Sequence, residues 1–367
     1  MKVLHVISDE NIGGAGVLLT TLLQNFDRRR VESIVALPKG SALLERLRDL
    51  PVKALELDHP CDRLSARSVW ELMAIIHSYA PDIVHANAAL SARLAGRLSG
   101  KKVVHTRHCC FPPAGLWQSR IFLPISSALN CFLSHRVIAT ADAAAEDLVR
   151  MGIPRKKIEV IINGSMPIRK VPEAELKIYR KQWGISKGDF VIGICARLEA
   201  CKGQRIFLRA AKLLCNRLPQ VPFRFLLVGT GGEEADLKAF CKKIGIEDRV
   251  CFTGFVKDMA PVYRLLRVNV NCSVGTETSC LALSEGMSAS LPMVVSNYGG
   301  NRAMVGDGRA GILVPAGDSE ALADALARIA SDPILECAMK KAALERYQKN
   351  YTAVQMTEHL TAVYEKL

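Results

Sequence analysis

The chain alternates short apolar runs with longer stretches whose apolar residues recur at helical spacing. The run at 2–7 is followed at 17–26 by a stretch whose leucines share one helical face. The same order recurs in the second half, where the run at 190–195 precedes another such stretch. Short apolar runs predict buried strands, and a period near 3.6 predicts amphipathic helices. Their alternation predicts an α/β protein with parallel sheets covered by helices.

Eleven apolar runs are predicted to be strands: residues 2–7, 31–37, 81–85, 102–105, 137–140, 160–164, 190–195, 225–228, 250–254, 268–272 and 292–296. Helices are predicted at 17–26, at 41–47, after a capping-box pattern at 68–71 and in the region 319–367. Ligands bind parallel sheets at the carboxyl ends of the strands. The residues that follow each run are therefore the first candidates for a functional site.

The length of 367 residues suits two domains better than one. Pro167 and Pro172 mark a linker at 165–172. We therefore predict a first domain at 1–168, a second at 169–350 and a terminal helix at 351–367. A hydrophobic content of 49% with 23% charged residues is typical of a globular protein.

Composition excludes several classes of protein. The twelve cysteines include no C-x-x-C pair, so we expect reduced thiols and no zinc or redox site. The N-terminus lacks signal-peptide anatomy and no apolar run approaches membrane-spanning length, so we expect a cytoplasmic protein. The net charge of +13 favours a phosphorylated substrate, nucleic acid or anionic lipid as partner, although it also serves solubility alone.

A predicted helix start follows the strand at 268–272. Thr278 or Ser279 is the predicted N-cap, because a side-chain oxygen there can accept from an early helical N–H. The backbone N–H groups of Ser279, Cys280 and Leu281 would then be available to a phosphate.

Two carboxylates flank this helix start. Glu277 lies in the loop before it, and Glu285 lies about two turns into the helix. An acid, a row of amides and a second acid suit a molecule with hydroxyls at both ends and phosphate between, such as a nucleotide-diphosphate sugar. Glutamates at this spacing also occur on many solvated helix surfaces, so the spacing alone does not decide.

Other candidates follow other predicted strands. Arg197 and Lys202 leave one strand close together and could bind a diphosphate, although they also fit ordinary surface charge. His85, His105 and His108 are predicted at strand exits, which favours at least one active-site histidine.

A glycine-rich turn at 12–16 follows the first strand, as in a phosphate-binding unit. Its spacing is not G-x-G-x-x-G, so a dinucleotide cofactor is not expected. Glycine there also serves a tight turn alone.

The segment 111–136 is unusually apolar and is flanked by Arg120 and Arg136. Such a segment suits an anionic membrane surface, where apolar groups insert and cations meet lipid headgroups. A helix buried between domains is the alternative.

Taken in order, these motifs resemble those of the family 4 glycosyltransferases, and the resemblance covers nearly the whole chain. The matching pieces are the glycine turn, Pro81–His85 (PDIVH), Thr106-Arg107-His108, Asn163-Gly164, Arg197-Leu198 with Lys202-Gly203, Val228-Gly229-Thr230-Gly231, Phe252-Thr253-Gly254-Phe255, and the Glu-x7-Glu pair. The resemblance implies the GT-B fold, in which two Rossmann-like domains face each other across a cleft. The first would take the acceptor, the second would hold the nucleotide-sugar, and the terminal helix would cross back to the first domain.

The resemblance also implies a role for each residue. The reaction would be a retaining transfer from a UDP- or GDP-sugar to a hydroxyl of a glycan or lipid-linked acceptor in envelope or capsule synthesis. Arg197 and Lys202 would neutralise the leaving diphosphate, and Glu277 would hold the donor sugar. Glu285 would bind the ribose, and Gly229, Phe255 and Val256 would line the base pocket. Gly14 and Gly16 would let the backbone approach the phosphates, and His108 would lie near the sugar and the acceptor.

No Asp-x-Asp motif is present, so neither a metal nor another cofactor is expected. Thr278 and the Ala289-Ser290 pair depart from the family pattern and leave the donor open. Two alternatives remain: a sugar-nucleotide epimerase, and a non-catalytic basic binding protein on the same scaffold. No alternation of basic and aromatic residues indicates a nucleic-acid surface, so nucleic acid is not an expected partner.

Overall fold

The computed structural model describes residues 1–9, 13–87, 89–108, 122–275 and 277–367, with residues 122 and 123 described by their backbone alone. The described chain divides into two compact units. The first comprises Met1–Ser165 together with Ala353–Leu367, and the second comprises Met166–Thr352. The assignment of acceptor and donor roles to the two units stays a prediction.

Seven strands of the described chain form the sheet of the first unit: β1 (Lys2–Ile7), β2 (Glu32–Pro38), β3 (Lys53–Leu57), β4 (Ile83–Asn87), β5 (Lys102–Arg107), β6 (Arg136–Ala139) and β7 (Ile158–Val160). They pair in parallel in the order β3-β2-β1-β4-β5-β6-β7. The connecting helices are α1 (Gly14–Asn25), α2 (Leu43–Leu47), α3 (Ala66–Tyr79), α4 (Leu90–Leu98), α5 (Phe122–Leu133) and α6 (Asp142–Arg150). β1 and β4 expose no residue, which explains why central strands are near-continuous apolar runs.

Six described strands form the sheet of the second unit: β8 (Phe190–Cys195), β9 (Phe223–Val228), β10 (Val250–Gly254), β11 (Val268–Asn271), β12 (Met293–Ser296) and β13 (Gly311–Val314). They are parallel in the order β10-β9-β8-β11-β12-β13. The helices are α7 (Glu173–Gln182), α8 (Gln204–Arg217), α9 (Glu234–Ile244), α10 (Ala260–Leu265), α11 (Leu281–Ser288), α12 (Asn301–Val305), α13 (Ser319–Ser331) and α14 (Pro333–Asn350). The chain order reverses beside β8, so β8 and β11 are neighbours whose carboxyl ends form the expected ligand position.

The last helix, α15 (Ala353–Glu365), belongs to the first unit and packs on α1. The Tyr364 hydroxyl lies 2.5 Å from Nδ1 of His85. Arg30 forms ion pairs with Glu358 at 2.8 Å and Glu365 at 2.9 Å. A buried polar contact and an exposed ionic one therefore fix this helix to the sheet that the N-terminal residues build.

The sequence predicted His85, His105 and His108 at or near strand ends, but the strands continue beyond the first two, to Asn87 and Arg107. His85 lies within β4 and His105 within β5, and only His108 follows its strand. His85 is buried, and its Nε2 is 2.7 Å from Oγ1 of Thr106. Burial holds the pKa of His85 and of His105 well below the usual range, so both imidazoles are neutral at pH 7.

The capping box predicted at 68–71 is also wrong. α3 begins at Ala66, and its N-cap is Ser65, whose hydroxyl accepts from the Ser68 N–H at 3.5 Å. The Glu71 carboxylate instead accepts from the backbone N–H of Asp58 at 2.7 Å. Glu71 therefore secures the loop after β3 rather than the start of its own helix.

Helix α5 is attached to the first unit through polar groups. The Ser127 hydroxyl donates to the Gly152 carbonyl oxygen at 2.5 Å. The buried Arg93 guanidinium donates to Oδ1 of Asn130 at 2.9 Å and to the Ser134 hydroxyl at 3.1 Å. The inner face of this helix is thus largely hydrogen-bonded rather than apolar.

The outer face of α5 carries an apolar stripe. Ile125, Leu129 and Phe132 lie at i, i+4 and i+7, and they are 59%, 54% and 53% exposed. The Arg97 guanidinium lies 4.9 Å from the centre of the Phe132 ring. The predicted segment at 111–121 lies outside the described residues, and the alternative of a helix buried between domains stays open.

Candidate active site

An ion pair forms where the chain leaves two neighbouring strands. Oε2 of Glu277 lies 3.0 Å from Nζ of Lys202, and these side chains are 8% and 15% exposed. Glu277 lies in the loop after β11, and Lys202 ends a short helical turn, Ala200–Lys202, after β8. β8 and β11 pair in parallel, so the loops after them start from the same edge. The fold thus brings together two residues that are 75 positions apart in the sequence.

The same carboxylate oxygen receives two further donors. The Ser273 hydroxyl donates to Oε2 of Glu277 at 2.8 Å, and Nδ2 of Asn271 donates to it at 3.4 Å. Burial opposes the charge of Lys202, but the negative charge of Glu277 and their hydrogen bond outweigh it and raise the pKa of the Lys202 ammonium. Lys202 therefore stays protonated, and its ammonium has three N–H donors with which to bind anionic oxygens.

Helix α11 starts later than predicted. Its N-cap is Cys280, which has extended backbone angles and no side-chain capping bond. The prediction of Thr278 or Ser279 as N-cap is therefore wrong, because both precede the cap and are buried. The first helical amides are those of Leu281 and Ala282, so the predicted phosphate-binding row at Ser279–Leu281 begins one to two residues too early.

Glu285 is held by a tyrosine that the sequence did not single out. The Tyr263 hydroxyl donates to Oε2 of Glu285 at 2.8 Å. Burial, and then the charge of Glu285, raise the pKa of Tyr263 well above its usual range, so the phenol remains a donor. The second glutamate is thus oriented within the same unit as the first.

The other predicted donor residues of the second unit are spread over several loops. Arg197 has a side chain 70% exposed and pairs with Glu199 at 2.7 Å. The Gly229 N–H donates to the Gly254 carbonyl oxygen at 3.0 Å, where β9 ends. Phe255 follows β10 and is exposed, while Val256 is half-buried. In the described part of the chain, these four residues form no hydrogen bond with Lys202 or Glu277.

The candidates of the first unit differ from their prediction in one respect. Gly14 and Gly16 lie in the first turn of α1 rather than in a loop, and neither has a positive φ. A Cβ on Gly14 would meet no atom within 4 Å. His108 follows β5, and its Nε2 is 3.1 Å from Oδ1 of the buried Asn87. Burial lowers the pKa of His108 to about 4, so its imidazole is neutral at pH 7.

The loop after β12 packs against the backbone of Glu277. Gly299 has φ +53°, and a Cβ there would lie 3.0 Å from the carbonyl carbon of Glu277 and closer to its oxygen. Only glycine fits such a backbone-to-backbone approach in this conformation. The position of Glu277 is therefore fixed by its backbone as well as by its carboxylate.

The second unit combines a fixed cation, a buried carboxylate and a helix start at one edge of its sheet. These groups suit a ligand with phosphate and hydroxyl groups. In the part of the chain that the structure describes, no group of three or more His, Cys, Asp or Glu side chains is arranged to hold a metal ion.

Both halves of the chain match family models of sugar-transferring enzymes. Residues 12–165 match the model described as Glycosyltransferase Family 4, and residues 189–332 match the one described as Glycosyl transferases group 1. Together the two matches span most of the chain.

Individual proteins agree with these models. The UDP-Gal:alpha-D-GlcNAc-diphosphoundecaprenol alpha-1,3-galactosyltransferase of Escherichia coli is 26% identical over 95% of this chain and 96% of its own. A D-inositol 3-phosphate glycosyltransferase of Kribbella flavida is 28% identical over 77% of this chain and 71% of its own. The crystal structure of Anabaena HepE in complex with UDP aligns over 100% of both chains, with a TM-score of 0.85 and 24% identity. These matches do not favour an epimerase or a binding protein.

Proposed function

This chain belongs to glycosyltransferase family 4 and has the GT-B fold, and we propose that it moves a sugar from a nucleotide-diphosphate sugar to an acceptor hydroxyl with retention of anomeric configuration. The acceptor oxygen bonds to the anomeric carbon while the bond to the diphosphate breaks. The acceptor attacks from the face that the diphosphate leaves, its proton passes to an oxygen of the departing diphosphate, and the nucleoside diphosphate leaves with the bonding electrons.

The buried Lys202–Glu277 pair is the observation that carries this proposal. Lys202, together with Arg197, neutralises the charge that develops on the leaving diphosphate, which lowers the barrier electrostatically. Glu277 accepts hydrogen bonds from donor-sugar hydroxyls, and Glu285 does the same for the ribose. The base lies against Gly229, Phe255 and Val256.

The roles of the remaining residues rest on the resemblance to the family. The first amides of α11, those of Leu281 and Ala282, bind the phosphates. The resemblance implies that Gly14 and Gly16 approach the phosphates and that His108 serves the sugar and the acceptor. A neutral His108 suits hydrogen bonding to a hydroxyl better than binding to an anion.

A thermal-shift panel of UDP, GDP, ADP and their sugars tests the donor site. A ligand that binds only the native protein at about 100 times its Kd adds about 2.7 kcal/mol of stability. The relatives named for UDP-galactose and solved with UDP make a uridine diphosphate the first candidate. We expect a rise in Tm of several degrees with one base, unchanged by EDTA because Arg197 and Lys202 supply the positive charge.

Three results would contradict parts of this proposal. The absence of a Tm shift with every nucleotide would contradict the proposed donor site. A Tm shift that EDTA abolishes would contradict metal-independent binding. A product formed without any acceptor would indicate an epimerase. The anomeric configuration of the product, read by NMR, decides retention.

We further propose a glycan or lipid-linked acceptor of envelope or capsule synthesis, reached at an anionic membrane surface by a cytoplasmic protein. None of the helices in the described part of the chain is both long and apolar enough to cross a bilayer. The apolar stripe of α5, Ile125, Leu129 and Phe132, is the face that would insert. No Asp or Glu occurs from 83 to 141, so the sequence around the stripe is uniformly basic or neutral and complements an anionic surface.

Vesicle sedimentation tests this surface. We expect the protein to bind phosphatidylglycerol vesicles better than phosphatidylcholine vesicles, and less at high salt. Phe132→Ser should reduce binding by about tenfold or more, because burying a phenylalanine side chain contributes about 1.5–3 kcal/mol. Ile334→Ser removes an exposed apolar side chain from the second unit and is the matched control. Equal binding by both variants would exclude the stripe, and a changed oligomeric state in Phe132→Ser alone would indicate contact between two copies instead.

A further inference from the structure

A network of buried polar side chains lies behind Glu277. Asn271, Ser273, Ser296 and Asn301 are all buried, and they come from β11, the loop after it, β12 and the start of α12. A buried polar group without partners is costly, so such a cluster in a core position has a specific geometry to maintain. We propose that Asn271, braced by Asn301, is a positioning residue that holds the Glu277 carboxylate in its reactive orientation.

The orientation of the Asn271 amide follows from one unambiguous donor. Its Oδ1 accepts from the backbone N–H of Ser273 at 3.0 Å, and a backbone N–H can only donate. Nδ2 of Asn301 donates to the same oxygen at 3.3 Å. With Oδ1 occupied on this side, Nδ2 of Asn271 points to Oε2 of Glu277 at 3.4 Å and to Sγ of Cys280 at 3.2 Å. A flipped amide would place an oxygen against the carboxylate.

Hydrogen bonds hold α12, which begins at Asn301, at both of its ends. Nδ2 of Asn301 lies 3.2 Å from both the carbonyl oxygen and the hydroxyl of Ser296. At the other end of α12, the Arg346 guanidinium donates to the Met304 carbonyl oxygen, and the Tyr351 hydroxyl donates to that of Ala303 at 3.2 Å. α12 has only five residues, so these contacts leave Asn301 little freedom to move away from Asn271.

These contacts fix the direction in which the Glu277 carboxylate points. Lys202, Ser273 and Asn271 all donate to Oε2, so this oxygen is fixed and the rotation of the carboxylate is restricted. The Lys202 ammonium and the Cys280 thiol are titratable groups that interact with Glu277, and burial raises the pKa of the thiol to about 12. The thiol is therefore neutral, and Asn271 adds a neutral donor beside the carboxylate.

The pH dependence of kcat/KM for the donor tests this inference, which rests on the proposed role of Glu277. Asn271→Asp places a second carboxyl group against Glu277, and two adjacent carboxylates resist ionising together. We expect the acidic limb of the profile to move up by about one pH unit or more. Asn271→Ala removes the donor without adding charge, so it should move the limb in the same direction by less and raise the KM for the donor. It remains informative if the aspartate variant fails to fold.

The chain offers a matched control in the same strand. Nδ2 of Asn269 donates to the Ala282 carbonyl oxygen at 2.8 Å, and Asn269 is buried like Asn271, with exposures of 1% and 8%. Asn269→Ala should lower Tm without moving the acidic limb. A limb that moves equally in the Asn269 and Asn271 variants, or in neither, would overturn the inference.

Glu277→Gln separates this inference from the proposed function. Normal activity in this variant would remove the role of Glu277, and with it the need for a positioning residue. A strong loss of activity in Glu277→Gln, together with an unmoved limb in both Asn271 variants, would remove the positioning role alone.

Discussion

Replacing Lys202 with alanine is expected to lower kcat by a factor of about 100 to 1,000, because removal of one preorganised group that stabilises developing charge typically has this effect. The ammonium is buried, protonated and fixed on Glu277, so no reorganisation is needed when the diphosphate begins to leave. Glu277→Ala is expected to reduce turnover to a similar level, since it removes the acceptor for the donor-sugar hydroxyls.

Both changes also break a buried ion pair. Removing one partner leaves an uncompensated charge, which costs about 3–5 kcal/mol in comparable buried sites. The two effects are separated by measuring kcat at a temperature where circular dichroism shows the variant to be folded.

Lys340→Ala is a control for the loss of an ion pair outside the proposed site. Lys340 pairs at 2.6 Å with the buried Glu336, which keeps its second partner, Arg267, when Lys340 is removed. This variant should lower Tm less than Lys202→Ala does and leave kcat unchanged. If Lys202→Ala retained kcat within threefold of the wild type, the assignment of the diphosphate site to this pair would be wrong.

Gly299→Ala is expected to cause the second large effect. The left-handed conformation costs a non-glycine residue about 1–2 kcal/mol, and forcing an atom into a packed site costs about 1–3 kcal/mol. The obstructing atoms are the backbone carbonyl of Glu277, which cannot rotate away as a side chain can. Taking roughly 3 kcal/mol in total, Tm should fall by about 6–12 °C, because 1 kcal/mol corresponds to about 2–4 °C in a unit of this size. Activity should fall further, because Glu277 must move.

Two other glycines separate the causes. Gly317 has φ +84° and no atom within 4 Å of a built Cβ, so Gly317→Ala reports the conformational cost alone. Gly232 has neither a positive φ nor a neighbour, so Gly232→Ala should have almost no effect. Differential scanning calorimetry of the three variants should give the order Gly299, Gly317, Gly232. An equal decrease in Tm for the Gly299 and Gly317 variants would mean that the Glu277 loop shifts to accommodate the new Cβ without loss of stability.

The sequence predicted the fold class because central parallel strands are apolar along their whole length. Lys2–Ile7 and Phe190–Cys195 were predicted with their observed bounds for this reason. Two edge strands, β3 and β13, were missed, although the edge strand β10 was predicted with its observed bounds. β3 reads Lys53-Ala54-Leu55-Glu56-Leu57, where two charged residues leave no continuous apolar run. β13 begins with Gly311 and offers only a short apolar run after it.

The candidate site was predicted in its members but not in its contacts. Lys202 and Glu277 were each selected from their position after a strand, but their contact depends on the adjacency of β8 and β11, which local spacing does not encode. Asn271 and Ser273 were missed, although two asparagines inside a buried strand are an anomaly that requires partners. The N-cap was misplaced because Thr278 and Ser279 have the right chemistry while the backbone turns into the helix only at Cys280.

Because the last helix belongs to the first unit, that unit can be completed only after the second unit has been translated. The first unit consists of Met1–Ser165 and Ala353–Leu367, so its two parts are separated in the chain by the entire second unit. A ribosome that has translated the first 165 residues has not yet made Tyr364, and His85 then lacks the hydroxyl that it contacts in the finished protein. The second unit, by contrast, is continuous and is complete as soon as Thr352 has emerged. The first unit is therefore begun first and completed last, because its sheet must wait for α15.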